Sequence, residues 1–158
     1  MYTDINKIVE SLTLAVFLNL MNDEQRTPKS SENEDGYDLT DDTDILVIRT
    51  NDLISKSDRE IDSYLRNRYN LPLNNTPSEI EELSTRKTIK RMFERRHRTD
   101  MPDSIITQDS VDNKYLISIQ KGDVNPDIPE QLSNADNIIK SNKSRKRKKF
   151  TDDYLRDY

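Results

Sequence analysis

EIDSYLRNRYNLPL, Glu60 to Leu73, carries Tyr64 and Tyr69 through a charged, helix-like run that stops against Leu71-Pro72-Leu73, in a chain where aromatic residues are only 6%. Working back from Leu65, the residues Ile61, Ile54 and Val47 recur at intervals of four, seven and seven, flanked by Tyr64, Leu53 and Ile48. That spacing describes one face of a long amphipathic helix, predicted from about Asp42 to Arg68. Pro72 is its stop, because the residue before a proline is pushed out of the helical region. On this reading Ile61, Tyr64, Leu65 and Tyr69 point inward, Leu71 and Leu73 plug the core, and Arg66, Asn67 and Arg68 face outward.

The flanking segments read as helices too. Thr3 or Asp4 caps a first apolar segment, since a short oxygen-bearing side chain satisfies free backbone N–H groups at a helix start. Ile5, Ile8, Val9 and Leu12 follow at helical spacing, and the apolar material continues to about Met21 as one broken helix or two short ones. Asn22 to Asp42, with Pro28, Gly36 and many Ser, Asn and Asp residues, is a loop, long enough to be either mobile or reserved for a partner. After an asparagine-rich turn, Thr76-Pro77-Ser78-Glu79 has the form of a capping box with proline at the first helical position. The helix it starts runs to about Arg98 and buries Ile80, Leu83, Ile89, Met92 and Phe93. Asp109 or Ser110 begins a last helix through Val111, Tyr115, Leu116 and Ile119, closed by Lys121-Gly122 with the glycine left-handed.

No run alternates with period two, so the fold class is all-α: a small helical core around one long helix, with a long acidic loop and an extended C-terminal arm. Residues 1–124 form the core, 22–42 its acidic loop, and 125–158 an extension with a basic tract and a short terminal helix. At 32% hydrophobic and 35% charged, 158 residues bury only a modest core. The longest apolar run, Leu12 to Leu20, is too short to span a membrane, and no membrane partner is expected. There is no cysteine, which excludes disulfides and thiol chemistry.

The net charge of -5 hides a sorted distribution. Asp23 to Asp44 holds nine carboxylates against Arg26 and Lys29; Arg86, Lys87, Lys90, Arg91, Arg95, Arg96 and Arg98 stand against Glu94 alone; Lys143 to Lys149 has six basic residues in seven. The 86–98 helix is therefore a candidate subunit interface or DNA-facing surface, since Lys and Arg neutralise phosphates. The tract 143–149 has the composition of a nuclear localisation or nucleic-acid segment. Phe150, Tyr154, Leu155 and Tyr158 beyond it form a candidate docking arm that folds into a groove on a partner.

Catalytic and cofactor signatures are missing. His97 lies in ERRHR without a nucleophile context. Asp41, Asp42 and Asp44 lack the glycine and distal glutamate of a calcium loop, and two glycines, Gly36 and Gly122, make no phosphate cradle. No enzyme activity, metal or cofactor is expected.

The order of helix ending in EIDSYLRNRYNLPL, asparagine turn, Arg-rich helix ending in RRH, and Tyr-Leu-x-x-Ile helix closing on KGDV resembles the small head-tail connector proteins of Mu-like phages and prophages. Glu60, Ile61, Asp62, Tyr64, Leu65, Arg68, Tyr69, Leu71, Pro72 and Leu73 stand in the matching places, and the similarity covers about Met1 to Val124. The charged loop and the segment after Gly122 depart from that pattern. The resemblance implies an adaptor (head completion) subunit at the portal vertex of the virion, in the host cytoplasm before assembly. Its partners would be copies of itself in a ring of roughly twelve matching the portal, the portal protein, tail or further connector proteins, and DNA passing through the channel without sequence-specific binding. The alternative is a DNA-binding regulator using the basic helix or tail; a host-directed interaction protein is a third class.

Overall fold

A computed structural model describes residues 1–129, and the named elements among them are five helices: α1 Ile5–Leu12, α2 Leu14–Met21, α3 Ile45–Leu65, α4 Ser78–His97 and α5 Asp103–Lys121. The chain is all-α over the described residues. Asp4 caps α1 by accepting the Lys7 N–H at 3.0 Å. Thr13, at φ 69°, then breaks the apolar segment into two helices, so that Ile8 and the Phe17, Leu20 and Met21 side chains reach the same core.

The acidic loop folds onto that core. The Tyr37 N–H bonds Thr27 O and its carbonyl accepts from Lys29 N, both at 2.9 Å, and the Tyr37 side chain is buried. A Cβ on Gly36 would run into the backbone of Pro28 and Lys29, so glycine permits this close approach. Asp44 closes the loop: it accepts from Leu46 N at 2.8 Å as the cap of α3, from Asp38 N at 2.9 Å, and from Arg26 Nη2 at 2.6 Å. The part of the loop that joins the chain's own core is its C-terminal portion, Tyr37 and half-buried Leu39, while residues 27–32 are exposed.

The expected stripe on α3 is present, with Val47, Leu53, Ile54, Ile61 and Leu65 buried, joined by Leu46. Ile48, expected on its flank, is 50% exposed. The helix ends at Leu65, before Arg68, and Pro72 is not what stops it. Leu65 O accepts from both Arg68 N and Tyr69 N at 3.0 Å, a tight turn that swings Tyr69 fully into the core. Leu71 and Leu73 are half-buried over the same cluster, Pro72 is exposed after a cis peptide, and Tyr64 is only half-buried. Arg68 does not face outward. Its Nη1 donates to Ile119 O at 3.5 Å and lies over left-handed Gly122 (φ 90°), where a Cβ would collide with the guanidinium.

Two helix starts also differ from expectation. Pro77 is the cap residue of α4 and no side chain caps it, so the capping box does not form. The last helix begins at Asp103, six residues earlier than Asp109, with Pro102 at its cap. A proline there costs no hydrogen bond, because the first N–H groups of a helix lack intrahelical partners. Gly122 closes α5 as expected, its N–H bonding Ser118 O and Ile119 O.

α3 and α4 each pack against the other and against α1, and they are of nearly equal length, so the core is built around a helix pair and not one long helix. Two apolar clusters lie along that pair. One gathers Ile8, Phe17, Met21, Leu46, Ile54 and Met92; the other Tyr2, Ile61, Leu65, Tyr69, Leu83, Leu116 and Ile128. Ile128, expected in the extension, belongs to the core. Between the clusters runs a polar waist. Asp58 accepts from Ser84 Oγ at 2.6 Å and Tyr2 N at 3.0 Å, and the Thr3 and Thr85 hydroxyls meet at 2.7 Å. Ser57, Ser84 and Thr88 are buried small side chains that let α3 and α4 approach.

Leu65 has no exposure while Tyr64 is partly open, so Leu65→Ala should lose about 2–5 kcal/mol of unfolding free energy in urea. Tyr64→Ala should lose markedly less. Equal losses would place both side chains in the core.

Candidate functional site

Among the described residues, basic charge is concentrated in the run of α4, and the fold uses that charge internally. The Lys87 side chain is 1% exposed. Its Nζ donates to Glu60 Oε1 on α3 at 2.9 Å, and to Asp109 Oδ1 and Asn113 Oδ1 on α5 at 2.8 and 2.5 Å. An ammonium has three donors, and all three are used. One turn along, Arg91 Nη2 reaches Glu60 Oε2 at 2.6 Å, and Lys90 Nζ lies 3.0 Å from Asp109 Oδ2 and 3.1 Å from Glu94. Glu60 and Asp109 together hold three cations and pin α3 and α5 to α4.

The remaining members of the run follow the same rule. The Arg86 guanidinium grips buried Asp112, with Nε at 3.0 and 3.1 Å from its two oxygens. Arg95 and Arg96 converge on Asp23, at the start of the acidic loop, where Arg49 joins them at 3.3 Å and also holds Glu24 at 2.8 Å. Arg98 lies exposed past the end of the helix. Lys87 is therefore not part of a surface, and of the seven cations taken as interface or DNA-facing, six hold carboxylates of their own chain. His97 is exposed and stacks on Phe93 at a centroid distance of 5.8 Å. The docking arm of Phe150, Tyr154, Leu155 and Tyr158, and the tract 143–149, lie outside the described residues.

The electrostatics follow from this geometry. Burial by itself would push the Glu60 carboxyl up, but the Lys87 hydrogen bond and the charges of Lys87 and Arg91 outweigh it and hold it below the usual range. Asp109 is lowered in the same way by Lys87 and Lys90. Lys90 is raised, its carboxylate partners outweighing desolvation. Asp23, held at the surface by three arginines, is lowered first by its hydrogen bond from Arg95. Asp41, Asp42 and Asp44 do not share a site: Asp44 is engaged with Arg26 and two backbone N–H groups, Asp41 accepts from Thr43, and among the described residues no group of three or more His, Cys, Asp or Glu is arranged to hold a metal.

Of the residues that organise this network, sequence named Glu60 only as a motif position and Asp109 only as a helix start, and it did not single out Asn113 or Asp112. The one local signal is Lys87 and Arg91 at i and i+4, which puts both on one face of α4. Their carboxylate partners lie 27 and 31 positions away.

Fold and site together define a small all-helical protein whose basic and acidic blocks close on each other across the helix pair. The chain matches the family model described as Bacteriophage Mu, Gp36 over residues 2–142, and it belongs to that family of Mu-like phage proteins. It is in this sense a phage virion-related protein. No curated protein matches it. The match takes in the opening motif and all five helices, and ends one residue before the basic tract 143–149.

Two outcomes test the network. Glu60 and Asp109 titrate lower folded than unfolded, where about 4.3 and 3.9 are ordinary. Their stabilisation is thus complete above the unfolded values and lost as pH falls through the folded ones. The urea midpoint should hold from neutral pH down to about 5 and fall steeply below about 4, and Glu60→Gln should flatten part of that fall; an unchanged acid slope would remove Glu60 from the account. Separately, Lys87→Ala should cost about 3 kcal/mol by leaving two carboxylates without their shared ammonium, whereas Lys56→Ala, which breaks an exposed i,i+4 pair with Asp52, should cost below about 0.5 kcal/mol.

Proposed function

We propose that the chain is a subunit of a head-tail connector: copies close into a ring below the portal, joining capsid to tail around a channel for DNA. The observation that carries this reading is the family match over residues 2–142, which contains the motif EIDSYLRNRYNLPL. The role requires contact surfaces and no catalytic group. A ring subunit meets its neighbours through two different faces, and exposed apolar side chains are available for such contacts, among them Ile45 and Ile48 on α3 and Leu14 on α2. The proposed location is the neck of the virion, with the host cytoplasm as its place before assembly.

A DNA-binding regulator that uses the basic helix is less well supported. A phosphate-reading surface needs free cations, and in the Arg86–Arg98 run all but Arg98 hold carboxylates of this chain, with Lys87 buried.

Electron microscopy of the purified chain mixed with the portal protein of the same phage should show rings or a portal-bound complex, and deleting Phe150–Tyr158 should weaken that complex while the fold persists. No ring and no portal complex, together with duplex-DNA binding that weakens steeply with salt, would replace the connector with the regulator.

A further inference from the structure

The helices α1, α4 and α5 leave a groove that no part of the described chain fills. It consists of three adjoining cavities of about 490, 200 and 300 Å³, each bordered by Arg86. Its floor is apolar, with Leu12, Ile89 and Ile105. Its walls carry six carboxylates against the three cations Lys7, Arg86 and Lys90. Those cations are already engaged: Lys7 with Glu81, Arg86 with Asp112, Lys90 with Asp109. Glu10, Glu79 and Glu82 are exposed along the rim, so the groove as a whole is anionic.

We infer that this groove seats the chain's own basic tract, Lys143–Lys149. Three observations converge on that occupant. First, the chemistry is complementary: Lys and Arg lay their methylene stems along an apolar floor while their charged heads stay at the rim, here against Glu10, Glu79 and Glu82. Second, the chain leaves the core at the right end. Ile128 packs in the same cluster as Ile80, next to Glu79, and Tyr115 of the groove wall packs against that cluster. Third, the length suffices. The fourteen residue steps from Pro129 to Lys143 span up to about 46 Å, while the groove runs from Tyr115 to Ile105, about 15 Å along α5.

The tract lies outside the family match, so this contact belongs to this chain's own extension and is independent of the connector reading. Docking it would set the starting point of the aromatic segment Phe150–Tyr158 beside α1 and α5.

Zero-length carbodiimide cross-linking of the full chain, with peptide mapping on an equal mixture of light and ¹⁵N-labelled protein, tests the inference. Expected are amide cross-links from Lys143, Lys146, Lys148 or Lys149 to Glu10, Glu79 or Glu82, within single-isotope chains. Their yield should fall about fivefold in roughly 1 M salt, where screening acts within about 3 Å. Glu10→Gln/Glu82→Gln, both solvent-facing changes, should shift the remaining product to Glu79. Cross-links confined to Glu32, Glu34, Asp35 and Asp42, products only between differently labelled chains, or no tail cross-links at all would each overturn it.

Discussion

Removing an ammonium from water costs several kcal/mol unless every donor finds a partner, and this constraint organises the molecule. Lys87 sits almost wholly inside, between three helices, and its three hydrogen bonds must come from α3 and α5 at once. α4 can be placed against α3 in only one register if Glu60 is to reach Lys87 and Arg91 together, and α5 in only one if Asp109 is to reach Lys87 and Lys90. Apolar packing is nondirectional; the ion network supplies the register.

The same arrangement explains how a chain this polar holds a core. The two apolar clusters are separate, and the waist between them is made of hydroxyls and one carboxylate that satisfy each other: Ser84 with Asp58, Thr3 with Thr85. A polar group buried with a partner is nearly neutral in stability, and its small side chains admit the close approach of α3 and α4 that larger apolar ones would prevent. Charge that looked on paper like a surface for a partner, in the run from Arg86 to Arg96, is consumed holding the helices together. Among the described residues, what is left for partners is the exposed apolar side chains and Arg98.

Periodicity made the helical stripe of α3, the broken first segment and the glycine closure of α5 legible, because each is a local pattern in which neighbours three or four apart share a face. The same reasoning overran at Leu65 and misjudged Arg68, because Tyr69 enters the core through a turn whose reward is burial against Leu116 and Ile119, some fifty positions away. The start of α5 at Asp103 was missed because Asp109 and Ser110 have the side chains of a helix cap, although a proline such as Pro102 is also well placed there. At the candidate site, the seven cations were legible as residues and not as partners.

Sequence by itself determined the helical class, the residues that must be inside, and membership of the phage family through a motif dense in matched positions, since these depend on pattern along the chain. Which cations of α4 hold carboxylates, how the acidic loop closes on Asp44, and that a groove lies between α1, α4 and α5 were decided by tertiary structure alone. The physical reason is distance: a Coulomb or hydrogen-bond partner is chosen by a separation of about 3 Å in space, and Glu60 lies 27 positions from Lys87 along the chain and 2.9 Å from it in the fold.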